Sequence, residues 1–439
     1  MFPISEKLAP TEKNHLNSYL PIRKKGNDFS WDTITGIVLS EALKRQILKY
    51  EFDSFRDDCK CAVIEKLDQP IFWEILERMY FSSDAIFNIS PLFLLFKAQR
   101  KGTGKFELGT ANQRMGDLFT SLMGGKFQLP DVTQRLNFIE DEFMTVLKER
   151  LEPLKASETI DEAYLPYLAK AFREDITFLS EHPKYLVQEF TNTLKLYAFA
   201  YCSQLALNIK SWRIGEPEPK PLYFILDTER ASSERTWVRN YGYKFLLECA
   251  GDLFPLLSAS EPLQHKGPRR PLWKIYHDAV TYKDQESLLA SLNLYIKAFA
   301  NTESRKLQVD TTAQTIDAAF AQLADLSLCQ FADENSERAG VNRLYVRELE
   351  RHICVNFMQS RGRAGRILVL NQDYLLLLTN LSIGKREKLR LHELVSEFQR
   401  RGFYLDTQSQ QVLVGFYERM GNVERMSDSG DAVYVRKTV

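Results

Sequence analysis

The order of structural signals in residues 370–439 limits what this chain can fold into more than any other feature. Asn371 and Asp373 can cap a helix whose apolar positions Leu375, Leu378 and Leu381 recur at helical spacing, with Gly384 as its terminator. A basic run, Lys385-Arg386-Glu387-Lys388, precedes a short strand over Leu389–Leu391. A second helix follows, with core positions Leu394, Val395 and Phe398, and ends at Gly402. Thr407 and Gln410 have capping-box spacing, in which the hydroxyl serves an early backbone N–H and the amide reaches back to the cap. Leu413, Phe416, Tyr417 and Met420 then repeat at i, i+3, i+4, i+7, and Gly421 supplies the exit. Two strands, Val423–Met426 and Ala432–Val435, flank the turn-forming run Ser427-Asp428-Ser429-Gly430-Asp431.

Helix, helix, helix, hairpin is the order of a winged-helix (α/β) module. With its apolar stripe turned inward, the third helix presents Gln408, Gln411, Gly415, Glu418 and Arg419 outward. Glutamine can bond bidentately to adenine, and arginine to guanine or a phosphate, so this face suits a DNA groove. Glu418 opposes phosphate unless a cytosine amine meets it. The expected wing tip carries Asp428 and Asp431, with Arg436 and Lys437 beyond, which argues against a purely electrostatic wing. Contact with a protein partner is the alternative use of the same surfaces, since fold does not fix function.

Charge supports a nucleic-acid partner at one end of the chain. The whole sequence has 58 basic and 58 acidic residues, so no global field draws it to polyanions. Residues 341–439 nevertheless hold 16 Lys or Arg against 11 Asp or Glu, leaving 42 against 47 in residues 1–340. A helix expected over Asn342–Gln359, burying Leu344, Ile353 and Phe357, sets Arg343, Arg347 and Arg351 on one face. Glu348 and Glu350 are close enough in sequence to neutralise that stripe. Next comes Arg361-Gly362-Arg363-Ala364-Gly365-Arg366, a flexible run whose guanidinium forks could meet phosphate or simply form a solvated turn into a strand over Ile367–Leu370.

The remainder reads as a mainly α, multi-helical body. Apolar residues recur at helical spacing over Ile34–Tyr50, Gln69–Phe81, Leu136–Leu151, Ala163–Leu179 and Lys184–Lys210. In the last of these, Leu194, Tyr197, Tyr201, Leu205 and Ile209 form a stripe expected in the core. Alternate prolines in Gly215-Glu216-Pro217-Glu218-Pro219-Lys220-Pro221 forbid helix and mark a boundary. The expected division is an N-terminal helical domain over 1–215, a mainly helical domain over 222–335, and a basic helix with the winged-helix module over 341–439.

No strong catalytic motif emerges. Lys101-Gly102-Thr103-Gly104-Lys105 is half a phosphate loop, with Phe106 where a magnesium-holding hydroxyl belongs. A strand over Leu222–Leu226 ends in Asp227-Thr228-Glu229-Arg230, and Asp227 with Glu229 could serve a metal-dependent nuclease. Arg230, Arg235 and Arg239 could instead lie on a binding surface. The six cysteines and six histidines lack zinc-finger spacing, so no metal or cofactor is expected. The absence of a secretory signal or a long apolar run leads to the expectation of a reduced, cytoplasmic, non-membrane protein.

In size, helical body and the stretch Gly421-Asn422-Val423-Glu424-Arg425-Met426-Ser427-Asp428-Ser429-Gly430-Asp431-Ala432-Val433-Tyr434-Val435, the chain resembles the DptG family of accessory proteins in bacterial DNA phosphorothioation-dependent restriction systems. The resemblance implies a defence complex formed with DptF and DptH that attacks DNA lacking the sulfur modification. It also implies that the ATP-driven and nuclease steps belong to those partners. The resemblance carries no catalytic residue; double-stranded DNA as a ligand is read from the C-terminal residues themselves.

Overall fold

A computed structural model describes residues 2–11, 15–67, 71–98, 109–132, 134–154, 159–230, 235–302, 305–309, 311–425 and 433–439. The protein is mainly helical, with small sheets toward the C-terminal region. No helix among the described residues is long and apolar enough to cross a membrane.

Helix α1 (Trp31–Leu43) starts where the Ser30 hydroxyl accepts the Thr33 N–H. The helical pattern over Ile34–Tyr50 predicts a longer element, but Lys44 turns into the left-handed region at φ 53°. The chain then forms strand β1 (Arg45–Ile47). Further helical segments, the first over Phe52–Lys66, separate it from helix α2 (Gly109–Met123), and beyond the helix Phe138–Arg150 comes strand β2 (Leu151–Pro153), antiparallel to β1. The expected Gln69–Phe81 helix is described from Phe72, with its last turn widened to a π-helix over Glu77–Phe81.

Helices α3 (Pro166–Ser180) and α4 (Pro183–Asn208) form the centre of the body, each opening with a proline whose missing N–H costs nothing at that position. Leu194, Tyr197, Tyr201, Leu205 and Ile209 are all buried, as their stripe predicts. The proline-rich connector is extended and pinned to α4, because the Gln204 carboxamide both accepts the Lys220 N–H and donates to the Lys220 carbonyl. One continuous apolar core includes Ile4, Tyr201, Leu226 and Val435, so the connector does not coincide with a break in packing.

Strand β3 (Tyr223–Leu226), short helices α5 (Thr236–Asn240) and α6 (Tyr243–Ala250), helix α7 (Glu337–His352), and strands β4 (Met358–Ser360) and β5 (Arg366–Leu370) follow. Ser336 caps α7, which stops at His352 rather than reaching Gln359. Its inward residues are Tyr345 and Leu349, whereas Leu344, expected inside, is 45% exposed.

The C-terminal segment contains α8 (Gln372–Ile383), β6 (Lys388–Arg390), α9 (Leu391–Arg400), β7 (Tyr404–Leu405), α10 (Thr407–Met420), β8 (Val423–Arg425) and β9 (Val433–Arg436). Two sheets organise it. Strands in the order β4-β5-β3-β7 make one sheet, with β5, β3 and β7 parallel and β4 antiparallel, so β3 joins segments far apart in sequence. The second sheet is antiparallel, in the order β6-β9-β8.

Asn371 caps α8 by accepting the Tyr374 N–H, and Gly384 ends it at φ 57°. Gly402, just past α9, has φ 88°, and a Cβ there would lie 2.7 Å from the Gln204 side chain. Position 402 therefore needs glycine for both its conformation and its close packing on α4. Beside it, the guanidinium of Arg401 grips both oxygens of Asp175 in α3 at 2.6 and 2.9 Å, fastening this segment to the body.

Candidate nucleic-acid interface

The outward face of α10 agrees with the helical phase read from the sequence. Gln408, Gln411, Glu418 and Arg419 are exposed, Gly415 is half-buried, and Leu413, Phe416 and Tyr417 are buried. Met420, expected inward, is 45% exposed. Glu418 is paired with Arg425 of β8, which reduces its repulsion toward an approaching anion.

The cap of α10 differs from the Thr407 and Gln410 box by one residue. Asp406 has the extended backbone of a cap, φ −74° and ψ 172°, and its carboxylate accepts the Ser409 N–H at 2.9 Å. Gln410 instead donates to the Leu405 carbonyl. Arg235 braces this arrangement. Its guanidinium donates to Asp406 Oδ2 at 2.9 Å and to the Ser409 hydroxyl at 2.6 Å, and it is ion-paired with buried Glu229. Burial pushes the Asp406 carboxyl up, but Arg235 and the Ser409 N–H outweigh it and hold the group below the usual carboxylate range. Arg235 is therefore interior structure, unlike the exposed Arg230 and Arg239.

On α7, Arg343, Arg347 and Arg351 are all exposed. Arg343 donates to the Glu334 carbonyl at 2.8 Å, and among the described residues no carboxylate pairs with any of the three. The two glutamates that could neutralise the stripe face elsewhere. Glu348 meets His352 at 3.2 Å and the Asn27 amide at 2.9 Å, while Glu350 takes Arg366 and the Tyr243 hydroxyl.

The arginine turn is more internally engaged than its composition suggests. Gly362–Ala364 forms one 3-10 turn, and Arg361 Nη2 donates to both the carbonyl and carboxylate of Asp227 at 2.8 Å. Arg366 is half-exposed and ion-paired with Glu350. Arg363 lies in the turn; its side chain falls outside the described residues.

The carboxylates at the end of β3 are held by the same arginines. Asp227 accepts from Arg361 and from the Gln359 amide at 3.0 Å, and Glu229 accepts the Leu226 N–H at 2.7 Å while pairing with Arg235. A divalent cation would have to displace a guanidinium from either carboxylate. Among the described residues no group of three His, Cys, Asp or Glu could hold a metal. The half phosphate loop at Lys101–Lys105 and the hairpin tip with Asp428 and Asp431 lie outside the described residues.

On the hairpin itself, Glu424 bridges Lys388 and Arg436, and Arg390 donates to the Tyr434 hydroxyl at 2.9 Å. Two features were not found from the sequence: the Asp175–Arg401 clasp and a stacked aromatic row, Tyr223, Trp237 and Tyr241. The clasp joins residues too distant to associate by local pattern. The row could have been suspected from aromatics at i, i+4 in Trp237 and Tyr241. No protein-family model matches this chain, and no curated protein matches it.

Proposed function

We propose that the protein is a non-enzymatic, DNA-engaging subunit of a phosphorothioation-dependent restriction complex, acting in the cytoplasm with DptF- and DptH-type partners. In this reading residues 370–439 form a winged-helix module that meets duplex DNA through α10. The observation that carries it is the order α8, β6, α9, β7, α10, β8, β9 with its β6-β9-β8 sheet, together with the exposed Gln408, Gln411 and Arg419 on the third helix. The exposed Arg343, Arg347 and Arg351 stripe supports phosphate contact, since its nearest carboxylates are engaged elsewhere.

The engagement of Arg361 and Arg366 shifts the expected phosphate contacts toward α7. A metal-nuclease reading loses support for a similar reason, because Asp227 and Glu229 are both occupied by arginines. The adaptor reading draws on exposed Met420, an apolar group beside the polar face of α10. Fluorescence anisotropy with a short duplex at low salt separates these readings. Duplex binding that weakens in Gln408→Ala/Gln411→Ala/Arg419→Ala supports the DNA role. Absence of any binding by the wild-type chain would sink it and favour the adaptor.

A further inference from the structure

We infer that the α5–α6 corner is a second part of the duplex-binding face, with Trp237, Arg239 and Lys244 lying along the sugar-phosphate backbone; this inference rests on the DNA-engaging reading above. Trp237 is 54% exposed and Tyr241 is 40% exposed, which is unusual for such large side chains on a mainly buried framework. They are ordered by stacking. Tyr223 and Trp237 have ring centroids 5.5 Å apart at 28°, and Trp237 and Tyr241 are 5.7 Å apart at 29°. Phe245 then closes the far side of Tyr241 edge-on at 5.4 Å.

This stacking fixes the orientation of an exposed aromatic row. Trp237 stacks against both Tyr223 and Tyr241, which holds the indole in place while leaving more than half of it exposed. The row also carries the indole N–H of Trp237. Ring edges carry the positive side of the aromatic quadrupole and favour anionic neighbours. Among the described residues that N–H has no acceptor, so it is free to donate to a phosphate oxygen.

Charge points the same way. From Arg235 to Leu247 the sequence holds three basic residues and no acidic one. Arg235 is neutralised by Glu229 and Asp406, whereas Arg239 and Lys244 are exposed and, among the described residues, unpaired.

The corner is linked to α10 by a chain of contacts. Tyr223 of β3 contacts Tyr404 of β7 at 5.9 Å, and Asp406, two residues beyond Tyr404, is the cap that Arg235 holds at the start of α10. The exposed corner is thereby tied to the start of α10 through β3, β7 and the Arg235–Asp406 contact.

Acrylamide quenching of tryptophan fluorescence in the full chain tests this. Of the five tryptophans, Trp73 and Trp212 are buried, Trp31 and Trp273 are half-buried, and Trp237 is the exposed one. Saturating duplex should shield one quencher-accessible tryptophan, and Trp237→Phe should abolish that change. Arg239→Ala/Lys244→Ala should weaken duplex binding on the order of tenfold and make the slope of log affinity against log salt shallower by about 1.8. Duplex binding with unchanged quenching and an unchanged slope overturns this inference while leaving the DNA reading intact. No duplex binding overturns both. Tighter shielding by a single strand than by duplex, or concentration-dependent shielding without DNA, also overturns it, the latter in favour of self-association.

Discussion

Arg401→Met tests whether a buried ion network, beyond apolar contact, docks the C-terminal segment on the helical body. The Arg401 and Asp175 side chains are 2% and 1% exposed, and the pair is bidentate. Tyr197 donates to the same carboxylate at 2.5 Å, and Glu397 accepts a further guanidinium N–H at 2.8 Å. Burial disfavours charge on Arg401, but the Asp175 carboxylate and its neighbours outweigh that and hold the guanidinium firmly protonated. Methionine replaces most of the aliphatic stem yet leaves Asp175 with the Tyr197 hydroxyl alone. Removing one member of a buried pair costs about 3–5 kcal/mol, and the surviving Tyr197 bond favours the lower end, about 3 kcal/mol. In calorimetry the consequence depends on the cooperative unit. With an unfolding entropy of about 2.1 cal/mol/K per residue, a 439-residue unit loses about 3 °C in Tm, whereas residues 370–439 melting alone would lose about 20 °C. The continuous core predicts the smaller shift. Asp175→Leu/Arg401→Met should recover about 1–2 kcal/mol relative to the single variant, because no charge is then stranded. A urea-measured loss below about 1 kcal/mol in Arg401→Met, or strict additivity in the double variant, would refute the network as the clasp.

Three further outcomes follow from the same geometry. Arg343→Ala/Arg347→Ala/Arg351→Ala should make the salt dependence of duplex affinity shallower by about 2.7, whereas Arg361→Ala should leave it unchanged because Asp227 engages that guanidinium; equal slopes for both variants would sink the assignment. Asp406 and Glu397 both titrate below their usual ranges, as Arg235 acts on the first and Arg401 and Arg400 on the second against the opposing effect of burial. Their stability contribution is fully present above the unfolded values of about 3.9 and 4.3 and is lost as pH falls through the lower folded values. Acid titration of urea stability should therefore be flatter below about pH 4 in Asp406→Asn/Glu397→Gln than in wild type, and parallel curves would contradict it. Arg235→Ala strands buried Glu229 and loosens the Asp406 cap, which should cost about 3–5 kcal/mol and speed amide exchange over residues 407–410; unchanged exchange there would show that the cap holds without it.

The features legible in the sequence are those fixed within one or two helical turns. Asn371 caps and Gly384 and Gly421 terminate because the interactions they make span three or four residues. The phase of α10 was equally legible, since a period of 3.6 residues sorts Leu413 and Phe416 from Gln408 and Gln411. Which competent residue becomes the cap is a different matter. Asp406 and Thr407 both qualify locally, and the residue that caps is the one braced by Arg235, 171 positions away in sequence. Leu344 and Met420 show the same limit: periodicity assigns a face, but only a neighbouring element covers it. Long-range pairing also decides which basic residues keep an uncompensated charge. The Arg361–Arg366 run places three arginines in six positions, yet two of its guanidiniums meet Asp227 and Glu350. The sparser Arg343, Arg347 and Arg351 remain exposed because the same Glu350 is drawn to Arg366 and Glu348 to His352. A basic residue can contribute strongly to polyanion binding only if folding leaves its charge uncompensated. On that criterion α7, α10 and the Trp237 corner, rather than the arginine turn, are where substitutions should move DNA affinity.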